Sequence, residues 1–278
     1  PLITTVVTTY DRPLQVKTAI RSVLGQTYGH TELLVVEDGT ETGTDKWLDK
    51  HGKNRARYIR HETNKGLAAA RNTGIREAQG THIAFLDDDD EWKPRRLERQ
   101  IDLLSSLSPE ERNRLGVIYC PVETRYTDHV HIGTADGLNQ GNLRRAILEQ
   151  GKLTIPPASG LFAAEALREV GGFDETLASS IDHDIWMSLA YEGYHAYVVE
   201  EALVVNDKQG EASMVTNTSQ RIRGIRQFVE KWEPVFQEWL GLEDGRRFVR
   251  RYFTRVLGKL LQDQVANGDW QSSLRSLR

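Results

Sequence analysis

The chain has 278 residues, of which 38% are hydrophobic and 27% are charged, and its formal net charge is −4. The length predicts one or two domains with a sizeable core, and the composition excludes a fibrous, disordered or membrane-embedded chain. The slight excess of acidic residues argues against general nucleic-acid binding. A globular fold is therefore expected.

Strand and helix patterns alternate through the first 92 residues. Strands are predicted in four short apolar runs, LITTVVTT, ELLVVE, ARYIR and HIAFL. Helices are predicted between them, from Pro13 to Gly25, around TDKWLDKHG and from Leu67 to Ala78. This alternation is typical of parallel βαβ units, whose ligands bind beyond the carboxyl ends of the strands.

The pattern is less regular after residue 92. The predicted helices run from Pro94 to Leu107, from Leu143 to Glu149, through AEALREVGG, and from Asp182 to about Tyr191. Ser180 is the predicted cap of the last one. An antiparallel strand is predicted in GVIYCPVETRY, and short strands are predicted in HAYVVE and ALVVN. After Ser213 the pattern predicts helices alone.

Five carboxylates follow the HIAFL strand without a break, from Asp87 to Glu91. Like charges this close repel one another, and a hard divalent cation such as Mg²⁺ or Mn²⁺ would offset the repulsion. A solvated acidic turn is the alternative. Asp11 and Asp38 follow the first two strands at the same predicted edge, where a carboxylate can accept from a base N–H or a ribose hydroxyl. The alternative for both is an ordinary turn residue.

Two other segments carry candidate chemistry. NKGLAAARNTGI places Lys65 and Gly66 before a helix that carries Arg71, which suits a diphosphate or, alternatively, an ordinary surface helix with a basic face. Asp182 starts a later helix, where the helix dipole keeps a carboxylate ionised for proton transfer or for capping. The absence of a Walker-type loop, and of a glycine-rich dinucleotide motif after the first strand, argues against nucleotide hydrolysis and dinucleotide redox chemistry.

Taken together, these segments resemble the family 2 glycosyltransferases. The resemblance covers residues 2 to about 205, in the family's order and spacing, and is carried by TTVVTTYDRP, AIRSVLGQTY, LLVVEDGT, NKGLAAARNTGI, IAFLDDDDEW and GGFDE…IDHDIWMSLA. It implies an α/β GT-A fold, with a Rossmann-like, mostly parallel central sheet flanked by helices. The implied GT-A domain spans 1–213, with a nucleotide-binding half (1–92) and an acceptor-binding half (93–213). A C-terminal helical extension would span 214–278.

The resemblance also implies roles for individual residues. Asp182 matches the catalytic base. Asp87 and Asp89 match the two acids of the metal-binding Asp-x-Asp motif, with Asp89 as the direct ligand. The residues that match donor contacts are Thr9, Tyr10, Asp11, Arg12, Asp38, Lys65, Gly66, Arg71, Asp87, Asp88 and Lys208.

For three of these positions the resemblance also implies which part of the donor is contacted. Two other positions depart from the family pattern. The resemblance implies that Asp38 faces the base, Asp88 the ribose and Arg71 the diphosphate. Ile181 stands where a Glu is expected before the base, so an unusual or less polar acceptor site is expected there. Lys208 stands where many members have a His. A protonated Lys is not an ordinary metal ligand, but it can neutralise a diphosphate directly.

The implied reaction is inverting transfer of a sugar from a nucleoside-diphosphate sugar, a UDP-sugar by family frequency, to an acceptor hydroxyl, assisted by Mn²⁺ or Mg²⁺. The acceptor would be a saccharide, a lipid-linked glycan or a protein, and no nucleic acid is expected as a partner. Two other functions stay open: a nucleotidyltransferase of the same fold, and a non-catalytic sugar-nucleotide-binding module. The single cysteine, Cys120, and the lack of a signal-peptide pattern predict a cytoplasmic location.

The C-terminal part differs in charge from the rest. Residues 218–278 are net basic, whereas the remainder is net acidic. Apolar residues recur there at helical spacing, among them Phe228, Trp232 and Val249, with the arginines mainly off the stripe. We expect these helices to pack on the GT-A domain or on each other. The alternatives are a dimer interface and docking to a partner protein or to an acidic membrane at its inner face, near a lipid-linked acceptor.

Overall fold

The computed structural model describes residues 1–52, 56–133, 140–150, 156–207 and 218–266, without the side chains of 150 and 259–266. The strands of the described part are β1 (Ile3–Thr9), β2 (Thr31–Asp38), β3 (Ala56–His61), β4 (His82–Asp87), β5 (Asp90–Trp92), β6 (Leu115–Tyr119), β7 (Val122–Arg125), β8 (Val130–Gly133), β9 (Gly141–Asn142), β10 (Leu161–Ala163), β11 (His195–Val198) and β12 (Val204–Asp207). The helices are α1 (Gln15–Leu24), α2 (Thr44–His51), α3 (Leu67–Glu77), α4 (Arg96–Ser106), α5 (Pro109–Asn113), α6 (Leu143–Gln150), α7 (Ala164–Glu169), α8 (Ile181–Tyr191), α9 (Thr218–Leu240) and α10 (Leu242–Ala266). Lys208 and the predicted domain boundary at residue 213 lie outside the described residues, so both stay predictions.

The strands form a large sheet in the order β3-β2-β1-β4-β10-β6-β11-β9 and a small one in the order β5-β12-β7-β8. The pairs β1–β2, β2–β3 and β1–β4 are parallel, with Val6 opposite Leu34 on one side and Phe85 on the other. The βαβ pattern predicted for the first 92 residues is confirmed. β10 is antiparallel to both β4 and β6. Its three residues are too few for a periodic pattern, so the sequence did not predict it.

The small sheet divides two segments that the sequence presents as continuous. The acidic run is split because Asp90 and Trp92 are buried in β5, which pairs antiparallel with β12, while Glu91 between them is exposed. GVIYCPVETRY is split at Cys120 and Pro121 into β6 of the large sheet and β7 of the small one. The prediction of a single strand there is therefore wrong, and the predicted antiparallel pairing holds for only one neighbour of β6, since β6 is antiparallel to β10 and parallel to β11.

Helices cover both faces of the large sheet. Because successive residues of a strand point to opposite faces, β1 places Val6 in one hydrophobic core and Val7 in the other. The Val6 core includes residues of α3, α7 and α8, and the Val7 core includes residues of α1 and α4. This layering leaves the carboxyl ends of β1, β2 and β4 along one edge of the sheet, where the predicted site residues follow the strands.

The C-terminal helices belong to the same core. Phe228, Trp232 and Phe236 of α9 and Val249 of α10 are buried with Trp186 of α8. A smaller cluster joins the two helices to each other. The prediction that these helices pack on the preceding part of the chain or on each other is confirmed for their described residues, which do both. Among the described helices, none combines the length and the apolar character needed to cross a membrane.

Ser180 precedes α8 in a conformation that the sequence did not predict. Its backbone is left-handed (φ 67°), and its side chain makes no capping hydrogen bond. A side-chain cap requires an extended backbone at this position, so the predicted capping role is wrong. The carbonyl of Ser180 instead accepts the backbone N–H of Asp184 at 3.0 Å.

Candidate active site

The four consecutive aspartates that begin with the last residue of β4 differ in their environments. The side chains of Asp87 and Asp89 are 31% and 35% exposed. Asp88 is buried, and Asp90 is buried in β5, where it accepts a hydrogen bond from Asn206 at 2.5 Å. A solvated acidic turn therefore does not describe Asp88 or Asp90, whereas Asp87 and Asp89 are accessible to a ligand.

Arg12 joins the loop after β1 to the acidic run. Its guanidinium lies 3.1 Å from Asp88 and 3.2 Å from Asp89, and the hydroxyl of Thr9 donates to Asp88 at 2.8 Å. These contacts form because β1 and β4 are neighbouring parallel strands. Burial raises the pKa of Asp88 to about 6, although the bonds from Thr9 and Arg12 favour its ionised form.

Arg71 of α3 connects the acidic run to Asp182. Its side chain is 1% exposed, and Nη2 donates to both oxygens of Asp87, at 2.9 and 3.1 Å. Nη1 donates to Oδ1 of Asp182 at 2.6 Å. Burial alone would lower the pKa of Arg71, but the two carboxylates outweigh this effect and raise it. The residue predicted to contact the diphosphate thus binds a candidate metal ligand and the candidate base, and its diphosphate contact stays a prediction.

The first turn of α8 is held by three parts of the chain. Asp182 is bound by Arg71 of α3, and Nδ1 of His183 lies 2.6 Å from the hydroxyl of Tyr252 in α10. Asp184 is fully buried and accepts from Nε1 of Trp232 in α9 at 2.7 Å. The side chain of Asp182 nevertheless remains 44% exposed. The candidate base is therefore fixed in place and open to solvent.

Asp38 fixes the loop that leads into α3. It is buried, and its carboxylate accepts the backbone N–H groups of Lys65 and Gly66, each at 2.8 Å. The carboxylate also lies 2.7 Å from Nδ1 of His61. Gly39 is required beside it, because φ is +81° and an added Cβ would lie 2.1 Å from the backbone nitrogen of Asn64. The contact predicted between Asp38 and a nucleobase stays a prediction.

The remaining predicted donor contacts lie at the same edge of the sheet. Tyr10 is 42% exposed and Asp11 is exposed on the loop after β1. The hydrogen bonds and ion pairs described above join one group of predicted residues, namely Thr9, Arg12, Arg71, Asp87, Asp88, Asp89 and Asp182. A second group, at the start of α3, consists of Asp38, Lys65 and Gly66.

Sequence reasoning missed the residues that support these groups. Asp184 carried a usable signal, since a charged residue that opens an apolar helix face must be paired when it is buried. Its partners, Trp232 and Lys231, lie in α9, far along the chain, so the sequence alone could not identify them. His61 and Tyr252 gave no comparable signal.

A cavity of about 640 Å³ lies beside the candidate base. Its lining joins the start of α3, the segment 175–183 that leads into α8, and the first turns of α9. Asp182 is one of the lining residues, together with Lys65, Arg221 and Arg223. A carboxylate that solvent can reach therefore lies in the wall of this cavity.

The chain matches the family model described as "Glycosyl transferase family 2" over residues 4–158, more than half of its length. The chain therefore belongs to glycosyl transferase family 2, as its motifs predict.

Curated relatives carry the same assignment. An uncharacterized glycosyltransferase from Rickettsia bellii is 30% identical over 200 residues, which are 68% of this chain and 27% of that protein. An Escherichia coli protein is 37% identical over 103 residues, 37% of this chain and 41% of its own length. It is named UDP-Glc:alpha-D-GlcNAc-diphosphoundecaprenol beta-1,3-glucosyltransferase WfgD. The chain thus spans less than half the length of these two relatives.

Solved structures share the fold. TarS 1-349 of S. aureus in complex with UDP-GlcNAc superposes with a TM-score of 0.72 at 16% identity, covering 99% of this chain and 80% of that one. The mannosyltransferase PcManGT of Pyrobaculum calidifontis, in complex with GDP-Man and Mn²⁺, gives 0.62 at 18% identity, covering 95% and 75%. The predicted GT-A architecture is confirmed.

Proposed function

We propose that the chain transfers a sugar from a nucleoside-diphosphate sugar, first of all a UDP-sugar, to an acceptor hydroxyl with inversion at the anomeric carbon. The observation that carries this proposal is the double ion pair of Arg71, which joins Asp87 of the acidic run to Asp182. Through Arg71, the partly exposed carboxylate of Asp182 is linked to the acidic run, which the family uses to bind its donor. The predicted cytoplasmic location is part of the same proposal.

Asp182 is the proposed general base. Arg71 bonds its Oδ1, which leaves Oδ2 to accept the proton of the acceptor hydroxyl. The acceptor oxygen then bonds the anomeric carbon, while the bond from that carbon to the diphosphate oxygen breaks and its electron pair leaves with the phosphate. One displacement inverts the configuration and requires no enzyme nucleophile.

A divalent cation, Mn²⁺ or Mg²⁺, fits this site when the donor's phosphates supply part of its coordination. No group of three or more metal-ligating side chains occurs among the described residues, but Mg²⁺ commonly takes one or two carboxylates together with phosphate oxygens. Asp89 would hold it, because its carboxylate is partly exposed, with Asp87 beside it. When bound, the cation offsets the charge that the leaving diphosphate gains.

The donor is proposed to lie across the ends of β1, β2 and β4. Thr9 and Asp38 are the last residues of the first two of these strands, and Tyr10 and Asp11 follow the first. Arg12 binds Asp88 and Asp89 after the third. The structural neighbour TarS 1-349 was solved with UDP-GlcNAc, which supports a uridine nucleotide as the first donor to test. WfgD is named for a lipid-linked acceptor, which makes lipid-linked saccharides the first acceptor class.

The test begins with thermal unfolding of the protein in the presence of UDP, TDP, GDP and their sugars, each with and without Mn²⁺. A bound ligand raises the unfolding temperature by mass action, so the expected result is stabilisation by one nucleoside diphosphate and its sugars, larger with Mn²⁺. Release of that nucleoside diphosphate in the presence of a saccharide acceptor then tests transfer. Turnover of a sugar 1-phosphate with a nucleoside triphosphate would instead identify a nucleotidyltransferase.

A further inference from the structure

The cavity beside Asp182 has an excess of basic groups. Its lining includes Lys65, Arg221 and Arg223 against the carboxylates of Glu175 and Asp182. Both carboxylates already have partners: Glu175 accepts from Asn72 at 2.8 Å, and Asp182 binds Arg71. None of the ion pairs found within the described ranges involves the side chains of the three cations. The cavity therefore offers cations to a ligand, whereas both of its carboxylates are bound within the chain.

The backbone around the cavity adds to the positive electrostatic potential of these side chains. Residues of the first turns of α3, α8 and α9 all line the cavity. A helix carries a partial positive charge at its N-terminal end, so three such ends act in the same direction as the basic side chains. Ile181, where the family resemblance leads one to expect a Glu, also lines the cavity. This position therefore adds no carboxylate that would repel an anion.

We propose that this cavity binds the acceptor, and that the acceptor carries a phosphate or diphosphate beside the sugar that is glycosylated. The inference rests on the proposed function, since it takes Asp182 as the base that meets the acceptor hydroxyl. About 640 Å³ is within the range of small-ligand sites, and it accommodates a monosaccharide with its phosphate. Arg221 and Arg223 bind the phosphate, and the sugar lies towards Asp182.

The test removes two positive charges from the cavity and compares the effect with that of a similar substitution outside the cavity. R221Q/R223Q changes the lining, whereas R226Q changes an exposed arginine of the same helix that lines a separate groove between α9 and α10. The probes are glucose 1-phosphate and N-acetylglucosamine 1-phosphate, each compared with its methyl glycoside. Calorimetry measures their binding in the presence of Mn²⁺ and saturating UDP, so that the donor site is filled. Thermal unfolding checks that each variant folds.

The expected result is that the unaltered protein prefers each sugar phosphate to its methyl glycoside. R221Q/R223Q should weaken binding of the sugar phosphates by about tenfold or more, because charge-assisted contacts to phosphate are lost. Binding of the methyl glycosides should change less than about twofold, and R226Q should change neither. The experiment measures binding and not transfer, so its result does not depend on whether the protein transfers a sugar.

Three results would overturn the proposal. One is a lack of preference for phosphate in the unaltered protein, and another is an equal effect of R226Q. The third is weaker binding of UDP by R221Q/R223Q, which would assign the cavity to the donor. A lipid-linked glycosyl diphosphate in detergent micelles distinguishes the source of the phosphate: tighter binding than the soluble sugar phosphate identifies a lipid-linked acceptor, and equal binding a soluble one.

Discussion

Arg71 donates a 2.6 Å hydrogen bond to Asp182, which lies 111 positions later in the chain. The donor is 1% exposed and the acceptor is 44% exposed. A fully buried cation thus holds a carboxylate that solvent can reach. The same guanidinium binds Asp87, so one side chain sets the distance between the acidic run and the candidate base.

Replacing Arg71 tests this connection. In R71M, Asp87 and Asp182 lose their shared cation, and because both carboxylates are partly exposed the loss should cost about 1–3 kcal/mol. R71K keeps one charge but cannot bind both carboxylates in the same geometry, so it should fold better than R71M and still transfer sugar slowly. Denaturant unfolding and the transfer rate are the measurements.

The control for this prediction is R57M. Arg57 and Glu77 form an exposed ion pair at 2.7 Å, with side chains 43% and 46% exposed. Exposed pairs contribute about 0–1 kcal/mol, so R57M should change the free energy of unfolding little. Equal destabilisation by R57M and R71M would show that the buried position of Arg71 has no special importance.

Two aspartates two positions apart on α8 should separate chemistry from stability. D182N should keep donor binding and lose transfer by roughly a hundredfold or more, because a general base is removed. D184N should instead lower the free energy of unfolding, since Asp184 is the buried partner of Trp232 and Lys231. Its transfer rate per folded molecule should stay within a few-fold of the parent. Transfer at the parent rate by D182N would place the base elsewhere.

Removing Asp89 should abolish the effect of metal on donor binding. We expect D89A to bind the nucleoside diphosphate more weakly in the presence of Mn²⁺, with affinity close to that measured without the metal, because the proposed carboxylate ligand is missing. E91A removes the same charge from an exposed position of β5 and should behave like the parent protein. Titration calorimetry of both variants, with and without Mn²⁺, decides. An unchanged metal response in D89A contradicts the assignment.

The contact between Trp232 and Asp184 should contribute measurably to stability. W232F keeps most of the buried ring but removes the N–H that donates to Asp184 at 2.7 Å. Loss of a hydrogen bond to a buried charged group costs about 1–3 kcal/mol. W239F alters a tryptophan of the same helix that is only partly buried and packs against Arg144, and its cost should be smaller. Urea unfolding of the two variants is the comparison.

The free energy of unfolding should decrease as the pH is lowered below about 6.5, and His183 should contribute to this decrease. Burial lowers the pKa of His183, although the charge of Asp182 opposes the shift. Below a pH of about 6.5 the unfolded chain therefore takes up a proton that the folded chain does not, and the free energy of unfolding decreases until the lowered pKa is passed. H183N should flatten this dependence. H129Q, which changes a histidine at an exposed position, is the matched control.

The sequence alone determined the parts of the molecule that depend on local pattern. The parallel strands β1 to β4, the stripe of α1 and the helices at the C-terminus follow from apolar periodicity over short windows, which neighbouring residues set. Asp87, Asp89 and Asp182 became candidates for the same reason, since each occupies a recognisable place at the end of a strand or the start of a helix. Their motifs were sufficient to indicate the family, which the family model confirms.

Only the tertiary structure decided how these residues meet. The environments of Asp88 and Asp90 differ because Arg12 and Asn206 approach from separate segments. The partners of Asp182 and Asp184 come from α3 and α9, far away in the chain. Such contacts depend on long-range packing and leave no periodic trace in the sequence, and the same is true of three-residue strands such as β10. The basic cavity beside Asp182 exists for the same reason, because packing brings the starts of three helices together.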